Sequence, residues 1–375
     1  MSEHLEELAA AVRGVLASRS PEDAAAPGGV DTALWEELEE LGFTSLSLPE
    51  ELEGGGGTLQ DAAVVVRESA EACAAVPVAE ALLVAAPLLA AAEAPLPAGR
   101  LTVGAGDLFA EPTAEGEWQI TGSLPRVPWL RSVEHIVALV VTADGPAVAV
   151  VPAADPRLLV NEGTNPAGEQ RDDAMLDGVV TDRVYRLPER AWLREIEMLG
   201  AVARTVQMAG AARGVLKATL RHVQEREQFG RPLLGFQAVQ HRLASLAADV
   251  ATVEVAADAA VLALMDPGSG RELAVASAKA QASALARPIA AAGHQLHGAI
   301  GFTMEHRLGA YTRRLWSWRD EYGNELLWQE RAAQLVMDRG GDVWGLLTGT
   351  GPDPQAEPET GERRAPAPDA RIESI

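Results

Sequence analysis

The chain holds one cysteine, Cys73, in 375 residues, so no intramolecular disulfide framework is available. That usage fits a reducing, cytoplasmic setting. Its AlaCysAlaAla surroundings mark a small buried packing residue more than a reactive thiol. Basic charge is equally scarce. With 31 Lys and Arg against 54 Asp and Glu the formal net charge is −23, which argues against nucleic-acid binding, since that needs a basic face. A long uninterrupted apolar run is also missing. The most apolar stretch, 76–92, contains Pro77, Glu80 and Pro87. It reads as buried helix and loop, since a membrane span needs about 20 apolar residues. MetSerGluHisLeuGluGlu at the start is acidic and amphipathic, unlike a signal or transit peptide. No internal repeat is present. These absences leave a soluble protein long enough for two or three compact regions.

What is there divides into helix, strand and helix again. In 1–95, Leu5, Leu8, Val12 and Val15 recur at helical spacing. Asp31 can cap a second helix with Leu34, Leu38 and Leu41 on one face and Gly42 at its end. The loop 48–57, with four glycines in a row, precedes a third helix, Leu59–Cys73. Residues 96–192 carry short Val- and Ile-rich runs (135–141, 147–152) between turn residues, the pattern of a small β-domain. From 193 to 347 long Ala-rich helical segments return, one with Val239, Leu243, Leu246 and Val250 on a face. AspProGlySerGly (266–270) turns the chain toward the next segment, and four such helices make an antiparallel bundle. The stretch 348–375, dense in Pro and charge, reads as a disordered tail. The expected class is α+β.

Two motifs in the last helical region carry chemistry. ArgGluGlnPheGlyArgProLeu (226–233), followed by PheGlnAlaValGlnHis (236–241), places an Arg near a helix end, with Gly230 positioned to terminate the helix and Pro232 to block its continuation. An Arg there suits a pyrophosphate, because its planar fork makes charge-assisted bidentate bonds to phosphate oxygens. GlnLeuHisGlyAlaIleGlyPheThr (295–303) is a Gly-rich turn that lets backbone approach a ligand. Each pattern alone is also that of an ordinary capped helix or structural turn.

Together the two motifs resemble the flavin-binding signatures of the acyl-CoA dehydrogenase family. LeuTrpGluGluLeuGluGluLeuGlyPhe (34–43) and TrpGlnIleThrGly (118–122) are similar to its N-terminal and β-domains, and the resemblance covers roughly 1–345. It implies an N-terminal helical domain, a middle β-domain and a C-terminal four-helix bundle. It also implies FAD held by Arg226, Gln228, Phe229 and Gln237, with Gln295 and Gly298 reaching a flavin bound mainly by a neighbouring subunit. Gly298–Ala299 stands where the family often has two glycines, a change of one methyl.

The departures from the family pattern matter more. Its ThrGluProXaaAlaGlySerAsp loop shrinks here to PheAlaGluProThrAlaGlu (109–115), so the ring-facing wall is expected to be incomplete. Abstraction of an α-proton from an acyl thioester needs a carboxylate within reach. The family position after the second motif falls on Tyr322; Glu321 fits only with a one-residue shift. The alternative positions fall near Gly200 or Gln207, and neither residue is a base. One subunit of a hetero-oligomer, completed by a homologous partner that carries the base, explains both gaps. Such short members are similar to the unequal subunits of bacterial dehydrogenases of steroid-type CoA esters. A homo-oligomer using Glu321 and a non-catalytic scaffold are the rival readings. The resemblance further implies an acyl-CoA substrate and an electron-transfer flavoprotein or similar acceptor. His294 and His297 are three apart, but no third ligand clusters with them, and Trp316, Trp318 and Trp328 read as core or interface.

Overall fold

The computed structural model describes residues 2–17, 29–189, 191–266, 268, 270–303, 306–338 and 340. The tail expected over 348–375 lies outside the described residues. The described residues up to Ala332 form one compact unit, and the described residues from Ala333 on belong to a second.

The first unit begins with α1 (Glu3–Ala17), α2 (Thr32–Glu40) and α3 (Leu59–Ala72). The Asp31 carboxylate accepts from the Leu34 amide at 2.9 Å and fixes the start of α2, while Leu41 is the C-cap and is exposed. A capping box between Thr58 and Asp61 starts α3. Cys73 is the left-handed C-cap of α3 and is buried. The apolar stretch after it folds as α4 (Val78–Glu80), a π-turn (Ala81–Ala85) and α5 (Ala86–Ala91), almost wholly buried. Pro87 has no N–H to offer the preceding turn. The helix passes it by widening to a π-turn and restarting with the proline in its first turn.

Eight strands follow: β1 (Leu101–Gly104), β2 (Asp107–Pro112), β3 (Trp118–Pro128), β4 (His135–Thr142), β5 (Gly145–Pro152), β6 (Leu158–Asn161), β7 (Arg171–Thr181) and β8 (Val184–Arg186). Their order is β6-β7-β3-β2-β4-β5-β8, with β1 parallel to β4. On β4, Ile136, Ala138 and Val140 enter a core inside the sheet region, while Val137 and Leu139 enter the core shared with the helices. Burial on both faces is why this strand reads as a continuous apolar run instead of an alternating one.

The last helices are α6 (Trp192–Glu225), α7 (Gln237–Met265), α8 (Arg271–His297), α9 (Leu308–Asp320) and α10 (Glu325–Asp338). A hairpin of β9 (Glu227–Gln228) and β10 (Arg231–Pro232) joins α6 to α7. α6 is buried on all sides from Met198 to Ala212, as a central helix packed by α3, α7, α8 and α9 must be.

Candidate functional site

Arg226 is the C-cap of α6; its amide donates to the His222 carbonyl at 2.9 Å. The helix therefore stops four residues before Gly230, and the expectation that Gly230 terminates it is corrected. Phe229 (φ 55°) and Gly230 (φ 78°) instead form the two-residue turn of the β9–β10 hairpin, where both central residues need positive φ. Phe229 is 91% exposed, its ring edge-on to Phe236 at 6.0 Å. Gln237 is the exposed first residue of α7, and Gln228 and Arg226 are exposed too. No described carboxylate pairs with Arg226.

The second motif reaches the same end of the bundle. His222 of α6 stacks on His297 of α8 with ring centroids 4.4 Å apart, and His306 meets His297 edge-on at 4.8 Å. Nδ1 of His297 donates to the Gly293 carbonyl at 2.8 Å, and burial pushes this imidazole down to about 4, so His297 is uncharged at neutral pH. Gln295 and Gly298 are exposed, and open space surrounds the position a Gly298 side chain would take. Among the described residues no group of His, Cys, Asp and Glu is arranged to hold a metal.

Two of the residues considered for proton abstraction, Glu321 and Tyr322, line a cavity between sheet and bundle. Val103, Ala105, Pro125, Arg126 and Pro128 line it from the sheet region; Arg204, Glu321 and Tyr322 close it from the helices. Its volume is about 160 Å³. None of residues 109–117 lines it; Glu111 and Pro112 pair with Gln119 and Trp118 in the β2–β3 hairpin.

Glu321 is the C-cap of α9 and sits in a buried row of alternating charges. One carboxylate oxygen accepts from Arg171 Nε at 2.9 Å and Asn165 Nδ2 at 3.0 Å. The other accepts from Arg204 Nε at 2.6 Å and Arg171 Nη2 at 3.0 Å. Arg204 continues to Glu80 at 2.7 Å and to the Gln207 side-chain oxygen at 2.6 Å. Arg171 continues to Glu169 at 3.0 Å, which also accepts from Arg314 and Trp318. Burial alone would raise the Glu321 pKa, but the two guanidiniums outweigh it and hold the carboxyl at about 2.

A general base needs a lone pair directed at the substrate and a pKa near the working pH. Glu321 has neither: its oxygens are taken by four hydrogen bonds. These pairs oppose the expected role of Glu321 as base. Tyr322, at the unshifted position, lays its ring on Gly200, where an added Cβ would come within 2.3 Å of the ring. The phenol thus covers the alternative position at Gly200, and burial raises its pKa. Reading the sequence missed Glu80, Glu169, Arg171 and Arg204. The signal for two of them was present: a single charge inside an apolar run, Glu80 in 76–92 and Arg204 in Ala201–Ala212, implies a buried partner.

The model for the acyl-CoA dehydrogenase N-terminal domain matches residues 2–94, and that for the C-terminal domain matches residues 198–319. The acyl-CoA dehydrogenase IpdE2 of Mycolicibacterium smegmatis is 30% identical over 76% of this chain and 82% of its own length. The chain belongs to the acyl-CoA dehydrogenase family. IpdE2 of Mycobacterium tuberculosis is 29% identical over 81% of this chain and 84% of its own. Among solved structures, a chain of the ChsE4-ChsE5 complex from Mycobacterium tuberculosis superposes with a TM-score of 0.79 at 22% identity, over 90% of this chain and 98% of that one. A chain of the Tcur3481-Tcur3483 steroid ACAD gives 0.78 at 25% identity, over 91% and 99%. The helix–sheet–helix order is the acyl-CoA dehydrogenase fold. No described helix is long and apolar enough to cross a membrane.

Proposed function

We propose that this chain is one subunit of a hetero-oligomeric, FAD-dependent acyl-CoA dehydrogenase that oxidises the α,β-bond of an acyl-CoA thioester. Its homologous partner carries the base, and the two chains share a composite flavin site. The observation that carries this reading is the filling of the chain's own cleft. The Arg204–Glu321–Arg171 pairs and the Tyr322–Gly200 contact leave about 160 Å³, below the roughly 300–1,000 Å³ usual for a ligand pocket. The cleft as built does not fit a flavin ring and a thioester together.

The exposed end of the bundle offers groups suited to a flavin's phosphates. Arg226 has no described acidic partner, and its fork suits a pyrophosphate. Gln228, Phe229 and Gln237 are exposed on the same connection and its following helix, and the exposed Gln295 and Gly298 would reach a flavin bound mainly by the neighbouring subunit. When bound, FAD supplies the hydride acceptor; this chain's part is to hold and orient it. A bulky, steroid-type acyl group is supported by the likeness to the Tcur3481-Tcur3483 steroid ACAD. An electron-transfer flavoprotein or similar protein then takes the electrons. The rival homo-oligomer depends on Glu321 as base, which the ion pairs oppose.

The test is Arg226→Ala in the co-purified complex. Loss of one charge-assisted bond weakens FAD retention by about 1.5–3 kcal/mol, read as flavin absorbance after gel filtration. Unchanged flavin content removes Arg226 from the site.

A further inference from the structure

A larger cavity, about 530 Å³, opens among α1, α2, α3, α6 and α9 and shares no lining residue with the cleft. Its floor is apolar: Leu16, Leu34 and Ala218 are buried there. The Tyr311 ring lies against Gly214, whose missing side chain makes room for it; an added Cβ would come within 2.3 Å of the ring. Burial raises the Tyr311 pKa, so the phenol keeps its proton.

The rim is basic, formed by Arg13, Lys217, Arg221 and Arg307. The carboxylates of the lining are already engaged. Glu68 is bound by Arg213 at 2.7 Å and Arg13 at 3.2 Å. Glu71 is bound by Lys217 and Arg213, and Asp31 caps α2. Arg221 and Arg307 have no described carboxylate partner. Arg307 donates to the Ala72 carbonyl at 2.8 Å and stands 5.7 Å from the centre of the Tyr311 ring. Two guanidiniums without a described carboxylate partner stand over an apolar floor in a chain of net charge −23; they suit a ligand of opposite sign.

We propose that this cavity binds a small organic anion with an apolar body, an aliphatic or aromatic carboxylate or phosphate monoester. Its charged group meets Arg221 and Arg307, and its body lies on Leu16, Leu34, Ala218 and Tyr311. The volume falls within the roughly 300–1,000 Å³ of small-molecule sites. The inference does not depend on the flavin reading, since no flavin-motif residue lines the cavity.

The test titrates the full-length chain with anilinonaphthalene sulfonate at low ionic strength, then displaces the dye with octanoate, octyl phosphate or neutral octanol. One saturable site per chain is expected, weakening with salt. Arg221→Ala/Arg307→Ala should weaken it at least about tenfold, the scale of one charge-assisted bond. Ala218→Trp, which fills the floor, should do the same while leaving the rim intact. Displacement by octanoate or by octyl phosphate identifies the headgroup. Absence of a saturable site, equal displacement by octanol, or unchanged binding in the folded arginine double variant would overturn the proposal.

Discussion

Four hydrogen bonds from three side chains reach Glu321, and they oppose a role as base. With its pKa lowered from 4.5 to about 2, its stabilising contribution is complete above about pH 4.5 and is lost as pH falls toward 2. Glu321→Gln should therefore cost about 3–5 kcal/mol near neutrality, the scale for breaking a buried ion pair. The gap between wild type and variant should close on acidification, as urea melts at several pH values would record. A pH-independent gap would contradict the pairing. Turnover of the complex should fall far less than the hundredfold or more expected for a lost base. The Tyr322–Gly200 contact gives a second test. Gly200→Ala should destabilise by about 1–3 kcal/mol through overpacking, and Tyr322→Ala should relieve that cost in a double-mutant cycle. Strict additivity would place the ring elsewhere.

At the scale of elements, helix starts were legible where a capping side chain precedes an apolar period, as at Asp31 before α2. The end of α6 was misread because Gly230 suits a helix terminus and a hairpin turn equally, and a two-residue loop between two-residue strands has almost no pattern of its own. The end of α9 depends on a contact that sequence could not reveal. Lys279 of α8 donates to the Trp318 and Arg319 carbonyls at 3.0 and 2.8 Å, and to Ser283 at 3.0 Å. Burial lowers this amine from 10.5 to about 7. Above pH 7 the folded chain sheds a proton that the unfolded chain keeps until about 10.5, so stability from this site rises across that window. Relative to Lys279→Met, the wild type should gain stability from pH 7 to pH 10 in thermal melts; a flat difference would show that the amine titrates normally.

For the whole molecule, the order of helical region, sheet and bundle could be read from periodicity, and the family from its motifs. The filled cleft could not. Arg204 and Glu321 are 117 residues apart, and Arg171 and Glu321 are 150 apart. Only the packing of β7, α6 and the end of α9 brings them together. The departures from family pattern at Glu321 and Tyr322 were visible in sequence, but whether the shifted Glu321 faced a substrate or an arginine was a question of three-dimensional placement. The central claim is that this chain contributes to a flavin site without containing a working one. Flavin content and acyl-CoA oxidation, measured on the isolated chain and on its complex with a homologous subunit, test it most directly. The account predicts no retained FAD and no turnover from the chain alone, and one FAD for each pair of unlike chains in an active complex. An isolated homo-oligomer that holds FAD and oxidises acyl-CoA, or a complex with FAD on every chain, would contradict it.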